Sequence, residues 1–172
     1  NDLTAWERVR AMTGETFVEF HPTKAHWRNL LVRGMAAFFK GWEQSDMRIV
    51  PGPTSPANVV VPAPDFRTGA TILSLADWRP YRGPMSLVLP LIKNFFLPTV
   101  SYYPLIRTQL EISWIFDAAV EALGVPGAKA FLQEFRDSLE TEEIPELGEH
   151  WTIQETLYAY LRKLEQNYHV PL

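Results

Sequence analysis

The sequence predicts a mainly α fold, an irregular multi-helix domain around one buried central helix over about 104–123. Apolar residues recur at helical spacing in four stretches, and one of these stretches is apolar on most of its circumference. Prolines concentrate between the helices, in residues 45–83. We therefore predict one domain over 1–172, in which 45–83 is a Pro-rich extended insertion or arm with room for short β segments. A chain of this length can bury about 70% of its unfolded surface.

The N-terminal part predicts one long amphipathic helix. Thr4 can cap a short helix over 5–12, and alternating residues over 15–20 predict an extended segment. A helix over 24–43 follows Pro22. Its apolar stripe consists of Trp27, Leu31, Met35, Phe38, Phe39 and Trp42. A stripe of this kind faces a core.

The insertion cannot form a long helix, because each proline lacks the backbone N–H and clashes with the preceding turn. The run Asn-Val-Val-Val over 58–61 is its best β segment, and 70–78 predicts a short helix or strand. Beyond the insertion, residues 85–97 predict a helix that is kinked or started at Pro90.

The central helix is predicted from Pro104, which suits a first helical turn, to Gly124, which suits a helix end. A helix that is apolar nearly all round is a buried one, so we expect Trp114 and Phe116, on its opposite sides, to be buried. Helices over 126–139 and 152–168 follow, on either side of an acidic linker over 140–149. The last helix has a capping box from Thr152 to Glu155.

Composition and charge limit the possible functions. The chain has no cysteine, which excludes thiolate catalysis, Cys-ligated zinc and iron–sulfur clusters. Its net charge of −4 is unevenly distributed, with +4 over 1–107 and −8 over 108–172. Such a split predicts opposed basic and acidic faces, unless the two halves neutralise each other across the fold. Prolines and Lys93 interrupt the longest apolar stretch, so we predict no transmembrane segment. A cytoplasmic location is the default for such a chain.

Motifs for catalysis and metal binding are absent, and we predict no catalytic residue, no metal and no cofactor. A nucleophile elbow, a phosphate-binding glycine loop and a His-Glu-x-x-His helix are all missing. An enzyme remains one alternative, with a pocket beside the helix carboxylates Glu111, Asp117 and Glu121. An ion pair of Glu111 with Arg107 explains part of this set more simply.

Nucleic-acid binding is a second alternative. The candidate residues are the basic side chains of the helix over 24–43, namely Lys24, Arg28, Arg33 and Lys40. The sequence pI of about 5.6 argues against this function, since basic nucleic-acid readers tend above 9. Trp27 and Trp42 also belong to the apolar stripe, which favours a core position over base stacking.

Protein interaction or self-assembly is the favoured function, as in a coat, scaffold or adaptor-like subunit. The aromatic content of 13% and the many arginines are typical of interface anchors. The partner is expected to be a protein, in a homo-oligomer or a larger assembly. We expect deletion of 51–66 to leave the core folded and to weaken association. The predicted partner-binding residues are Pro51, Pro53, Pro56, Pro62, Pro64, Phe66, Arg67, Arg79, Tyr81 and Arg82.

Overall fold

The computed structural model describes residues 24–61, 69–98, 111–141 and 150–167, and it confirms a mainly α fold. The helices within these ranges are α1 (Lys24–Gln44), α2 (Pro84–Pro90), α3 (Trp114–Thr141) and α4 (His150–Asn167). Four two-residue strands lie between α1 and α2: β1 (Ile49–Val50), β2 (Val59–Val60), β3 (Thr71–Ile72) and β4 (Arg79–Pro80). The predicted short helix over 5–12 and the extended segment over 15–20 lie outside the described residues.

The central helix is α3, which packs against α1, α2 and α4. Trp114 and Phe116 are each 1% exposed, as predicted from their positions on opposite sides of this helix. Further along α3, Phe131 inserts between two aromatic residues of α1, with its ring centroid 5.3 Å from Phe39 and 5.2 Å from Trp42. These aromatic contacts join the two longest helices into the main core.

The start of the central helix differs from the prediction. Residues 111–113 form a turn, and the helix begins at Trp114 instead of running through them. The backbone N–H of Asp117 donates to the carbonyl oxygen of Ser113 at 3.0 Å, so Ser113 occupies the N-cap position, which favours serine. Apolar spacing alone does not reveal such a cap. The predicted first turns, over 104–110, lie outside the described residues.

The predicted break at Gly124 is confirmed. This residue has φ 68° and ψ 171°, a left-handed conformation that interrupts α3 and favours glycine. Pro126 follows in the first turn of the second half of α3, where its missing N–H costs little. The helix therefore bends at the glycine and proline that the sequence places there.

The final helix begins at His150, two residues before the predicted cap, so Thr152 lies inside the first turn. Helix ends are the least precise part of a pattern-based prediction, because the apolar stripe is unchanged by one extra half-turn. The stripe itself is confirmed where it is described: Ile153, Leu157, Leu161 and Leu164 are buried.

Helix α2 continues after Pro90 as a π-helical segment, Leu91–Phe96. The prediction of a helix kinked or started at Pro90 is only partly right: the helix starts earlier, at Pro84, and after Pro90 its hydrogen-bond pattern changes from α to π. The wider turns still bury Leu91, Ile92, Phe95 and Phe96. The ring of Phe95 meets Phe38 of α1 edge-on at 6.0 Å and lies directly over Gly34, where an added Cβ would come within 2.7 Å of it.

The insertion is folded onto the helices in its described parts. It forms two antiparallel pairs, β1 with β4 and β2 with β3, and the strand predicted at 58–61 is present as Val59–Val60. Val50, Val59 and Val61 are at most 2% exposed and belong to the same core as the helices. The expectation that 51–66 contributes little to the core is therefore wrong for its described part, because the valines alternate inward from short strands.

Candidate functional site

The segment 69–82 is a continuous, mostly exposed stretch of the chain, which we call the surface ribbon. Every residue in it is exposed except Ala70, Ile72 and Tyr81, which are partly buried. It crosses the surface from β3 to β4, and each of these strands pairs with a strand of the preceding loop. The ribbon is thus paired with the preceding loop near both of its ends, and most of its residues are open to solvent.

A buried asparagine fixes the ribbon to the loop beneath it. Asn58 is 6% exposed, and its side-chain amide donates to the carbonyl oxygens of Pro53 at 3.0 Å and Ser74 at 2.8 Å. Its side-chain oxygen accepts from the backbone N–H of Ser74 at 2.9 Å. Both ends of this amide are satisfied, which is what a buried polar group requires.

A close backbone approach provides a second attachment. A Cβ added at Gly52 would lie 2.3 Å from the carbonyl oxygen of Asp77, so only glycine fits there. The loop and the ribbon therefore touch backbone to backbone just before Trp78. This contact holds the tip of the ribbon in place.

The ribbon exposes large apolar side chains. Leu73, Leu75 and Trp78 are 57%, 50% and 54% exposed, and Met47 and Leu97 are the other exposed large apolar residues of the described chain. Clustered exposed apolar residues, unlike single ones, mark interaction sites.

Arginines Arg79 and Arg82 follow this apolar cluster. Within the described ranges, neither guanidinium makes an ion pair or a hydrogen bond. Together with Lys93 of the π-helical segment, which already has an interaction partner, they line an open groove of about 510 Å³ between β4 and α2, which we call the basic groove. Its apolar wall includes Val50, Met85 and Leu89, and no acidic residue of the described chain lines it.

A second groove, of about 650 Å³, lies between α1 and the first part of the ribbon, around β3. Its lining is mostly small or apolar, with Ala37, Gly41, Ala70 and Leu75 among its members, and Lys40 is its one charged residue among those described. The surface ribbon therefore contributes to two grooves, to the basic groove through β4 and to the second groove through β3.

The predicted partner-binding residues are divided by the structure. Arg79 and Arg82 are exposed at the basic groove, and Pro53 is exposed on the loop below it. Pro51 and Pro56 are buried. Four others, Pro62, Pro64, Phe66 and Arg67, lie outside the described residues.

Tyr81, also predicted to bind a partner, belongs to the edge of the core. Its ring centroid is 5.0 Å from that of Trp42, and its backbone N–H donates to the carbonyl oxygen of Arg48 at 2.8 Å. Burial, followed by the nearby charge of Glu134, raises the pKa of the Tyr81 hydroxyl. The hydroxyl is therefore protonated at neutral pH, and it has no hydrogen-bond partner within the described structure.

The basic residues proposed for nucleic acid are mostly engaged elsewhere. Lys24 pairs with Glu111, and Arg28 pairs with Asp117 at 2.8 Å, so α1 and the start of α3 partly neutralise each other. Arg33 is half-buried and also has an interaction partner, while Lys40 is exposed at the second groove. Trp27 and Trp42 are 1% and 6% exposed, in agreement with their predicted core position.

The carboxylates considered for an enzyme do not line either groove. Glu111 is held by Lys24, whose hydrogen bond lowers the pKa of the Glu111 carboxyl. Asp117 accepts a hydrogen bond from the Tyr160 hydroxyl at 2.7 Å in addition to its pair with Arg28. Glu121 is exposed on α3. No group of three His, Cys, Asp or Glu side chains that could hold a metal occurs among the described residues.

The C-terminal end of α3 forms an acidic surface. Glu134, Asp137 and Glu140 are exposed, and the last turn of this helix contains no basic residue. Arg136 pairs with Asp137 at 2.7 Å, and the Tyr158 hydroxyl donates to Glu140 at 2.8 Å. In the sequence, four more glutamates follow within residues 142–149. We call residues 134–140 the acidic end of α3.

Comparison of the chain with protein families, with curated proteins and with solved structures finds no match. In the described part of the chain, no helix is long and apolar enough to cross a membrane.

Proposed function

We propose that this protein is a non-enzymatic protein-interaction module that self-associates through the surface ribbon and the basic groove beside it. The single observation that carries the proposal is the exposure of Trp78 next to Arg79 and Arg82, two arginines without an acidic partner in the described structure. Tryptophan and arginine are the residue types that contribute most to protein interfaces. In this proposal, the residues that bind the partner are Trp78, Arg79 and Arg82 in the second half of the 45–83 insertion, and not its prolines.

Preorganisation supports the proposal. The Asn58 hydrogen bonds and the contact at Gly52 hold the ribbon in one conformation before any partner arrives. An interface that is already ordered loses less conformational entropy on binding. A flexible loop of the same composition would bind more weakly.

Charge supports a second copy of the chain as the partner. Residues 108–172 carry a net charge of −8, whereas the basic groove has three cationic side chains and no described carboxylate. Unlike charges on two surfaces of one molecule attract each other between copies.

Sedimentation velocity at low and high protein concentration tests the proposal. We expect the wild-type chain to associate as concentration rises, and the variant Trp78→Ala with Arg79→Ala and Arg82→Ala to remain monomeric. A matched control is Arg162→Ala with Lys163→Ala, which removes the same charge from exposed positions of α4. This control should associate like the wild type.

A monomeric wild type at every concentration would contradict self-association. Addition of a random single-stranded oligonucleotide separates the nucleic-acid alternative, because Trp78 and the two arginines could also stack on and pair with a single strand. Binding of the oligonucleotide that weakens steeply with salt, without self-association of the chain, would favour that alternative over ours.

A further inference from the structure

The proposed self-association leaves open which surface of the second copy enters the basic groove. We infer that it is the acidic end of α3, so that copies associate head to tail, and this inference rests on the proposed function.

The first argument is the chemistry of the groove. Arg79, Arg82 and Lys93 line it, with Val50, Met85 and Leu89 as its apolar wall. Arginine presents a planar donor fork that matches a carboxylate, and an apolar wall accommodates the methylene groups of an acidic side chain. A volume of about 510 Å³ admits several side chains but not a whole helix, so the groove suits the side chains at a helix end.

The second argument is the electrostatics of the acidic end. The C-terminus of a helix carries a partial negative charge, which cations stabilise and acidic side chains do not. Helix α3 nevertheless places Asp137 and Glu140 near its C-terminus with no basic residue in its last turn. Arg136 offsets part of this charge, since it pairs with Asp137. A cationic surface from outside the helix therefore gains from both the side chains and the helix dipole.

The third argument is that the other acidic groups of the described first half of α3 are already neutralised or distant from its end. Asp117 is occupied by Arg28 and the Tyr160 hydroxyl, and Glu111, in the preceding turn, by Lys24. The acidic end of α3 is the region where several exposed carboxylates follow one another. Of the acidic groups in α3 and the turn before it, those at the acidic end of α3 best complement the basic groove.

Contact between two different surfaces has a structural consequence. A groove that binds the helix end of the next copy leaves one free groove and one free helix end, so association continues into rings or filaments. A symmetric dimer, in which the same patch meets itself, would stop at two copies.

Two charge-reversed variants test the inference. The groove variant is Arg79→Glu with Arg82→Glu, and the helix-end variant is Asp137→Lys with Glu140→Lys. All four positions are exposed, and new lysines at a helix C-terminus are favourable, so we expect both variants to fold. Far-UV circular dichroism and urea unfolding verify this point.

Each variant alone should associate roughly 100-fold more weakly than the wild type, because like charges then face each other in the contact. An equimolar mixture of the two should associate more strongly than either variant alone, since the intact groove of one meets the intact helix end of the other, and the reversed groove and reversed helix end also carry opposite charges. Sedimentation velocity of the single variants and of the mixture measures both effects.

The results separate the two claims. If the groove variant is monomeric while the helix-end variant associates like the wild type, the ribbon mediates association but the acidic end of α3 is not its partner, and this inference is wrong. If the wild type is monomeric throughout, both the proposed function and the inference fail. A mixture that remains monomeric although each variant is folded also overturns the head-to-tail arrangement.

Discussion

Helix α1 and the surface ribbon contain the same kinds of residues and use them in opposite ways. Both combine tryptophan with basic side chains. In α1, Trp27 is 1% exposed and Arg28 is paired with Asp117. In the ribbon, Trp78 is 54% exposed and Arg79 has no acidic partner within the described ranges.

The difference lies in the length and hydrogen bonding of the two elements. A helix of 21 residues repeats its apolar stripe over several turns, and burial of that stripe against α3 fixes which way each side chain points. The strands at the two ends of the ribbon have only two residues each, so most of the ribbon is not bound to one face of a sheet. Residue composition therefore does not reveal function until the element that carries it is known.

Replacement of the two tryptophans gives the largest expected contrast. Trp27→Ala removes a fully buried side chain and should lower the free energy of unfolding by about 3–5 kcal/mol. Trp78→Ala removes a half-exposed side chain and should change it by less than about 1 kcal/mol. Urea unfolding of both variants measures the difference. Equal losses would mean that the ribbon is part of the core and not a free surface.

Helices with a sustained apolar period could be predicted from the sequence. The stripe of α1, the burial of Trp114 and Phe116 and the break at Gly124 follow from spacing and from the conformational preferences of glycine. The start of α3 could not be found in this way. The first backbone hydrogen bond of the helix, from Asp117 to Ser113, leaves no periodic signal in the sequence.

The candidate site was only partly predictable. The position of Arg79 and Arg82 in the irregular insertion predicts them as partner-binding residues, and they do line the basic groove. The exposure of Leu73, Leu75 and Trp78 was not foreseen, since an apolar residue in a loop is as compatible with burial as with exposure. Whether these side chains are buried or exposed depends on pairing between short strands that are distant in the sequence. Local sequence patterns do not reveal a pairing such as that between positions 50 and 79.

The prediction that the prolines of the insertion bind a partner is wrong for Pro51 and Pro56 for a related reason. Proline is excluded from helix interiors and central strands, but it is not excluded from a hydrophobic core. Pro51 and Pro56 are buried, next to strand residues that point inward. Deletion of 51–66 should therefore destabilise the fold, because it removes Val59 and Val61 from the core.

The attachment of the ribbon at Asn58 gives the next largest expected effect. Asn58→Ala leaves the backbone N–H of Ser74 and the carbonyl oxygens of Pro53 and Ser74 without this partner, and we expect a loss of roughly 2–3 kcal/mol in the free energy of unfolding. Amide hydrogen exchange at Ser74 should accelerate more than exchange in α1. A uniform acceleration across the chain would show that the ribbon does not open separately.

The contact at Gly52 can be tested with a matched pair of glycines. Gly52→Ala places a Cβ against the backbone of Asp77 and should cost about 1–3 kcal/mol, since the neighbouring backbone has to move. Gly69→Ala is the control, because an added Cβ there meets nothing within 4 Å. Thermal unfolding of both variants compares them, and equal stability would show that the loop can shift away from the ribbon at no cost.

The smallest expected effect concerns the ion pair that ties α1 to the turn before α3. The hydrogen bond from Lys24 lowers the pKa of the Glu111 carboxyl in the folded state, although partial burial acts in the opposite direction. A carboxyl with a lowered folded pKa stabilises the fold above its unfolded pKa, and this stabilisation is lost as the pH falls through the folded pKa. The loss should begin below about pH 4.3, the usual pKa of a glutamate.

The variant Glu111→Gln should therefore be less stable than the wild type at pH 7 and nearly equal to it at pH 3. Both side chains of the pair are about half-exposed, at 53% and 51%, so solvent screens their attraction. We expect a difference of roughly 0.2–0.5 kcal/mol at neutral pH. Urea unfolding at the two pH values measures it, with Lys24→Met as the background in which the pH-dependent effect of Glu111→Gln should be smaller, because only Ser113 and Arg28 then lower the pKa of Glu111. A difference that grew towards acid would mean that Lys24 does not hold the Glu111 carboxylate in solution, and that α1 is no better neutralised than the ribbon.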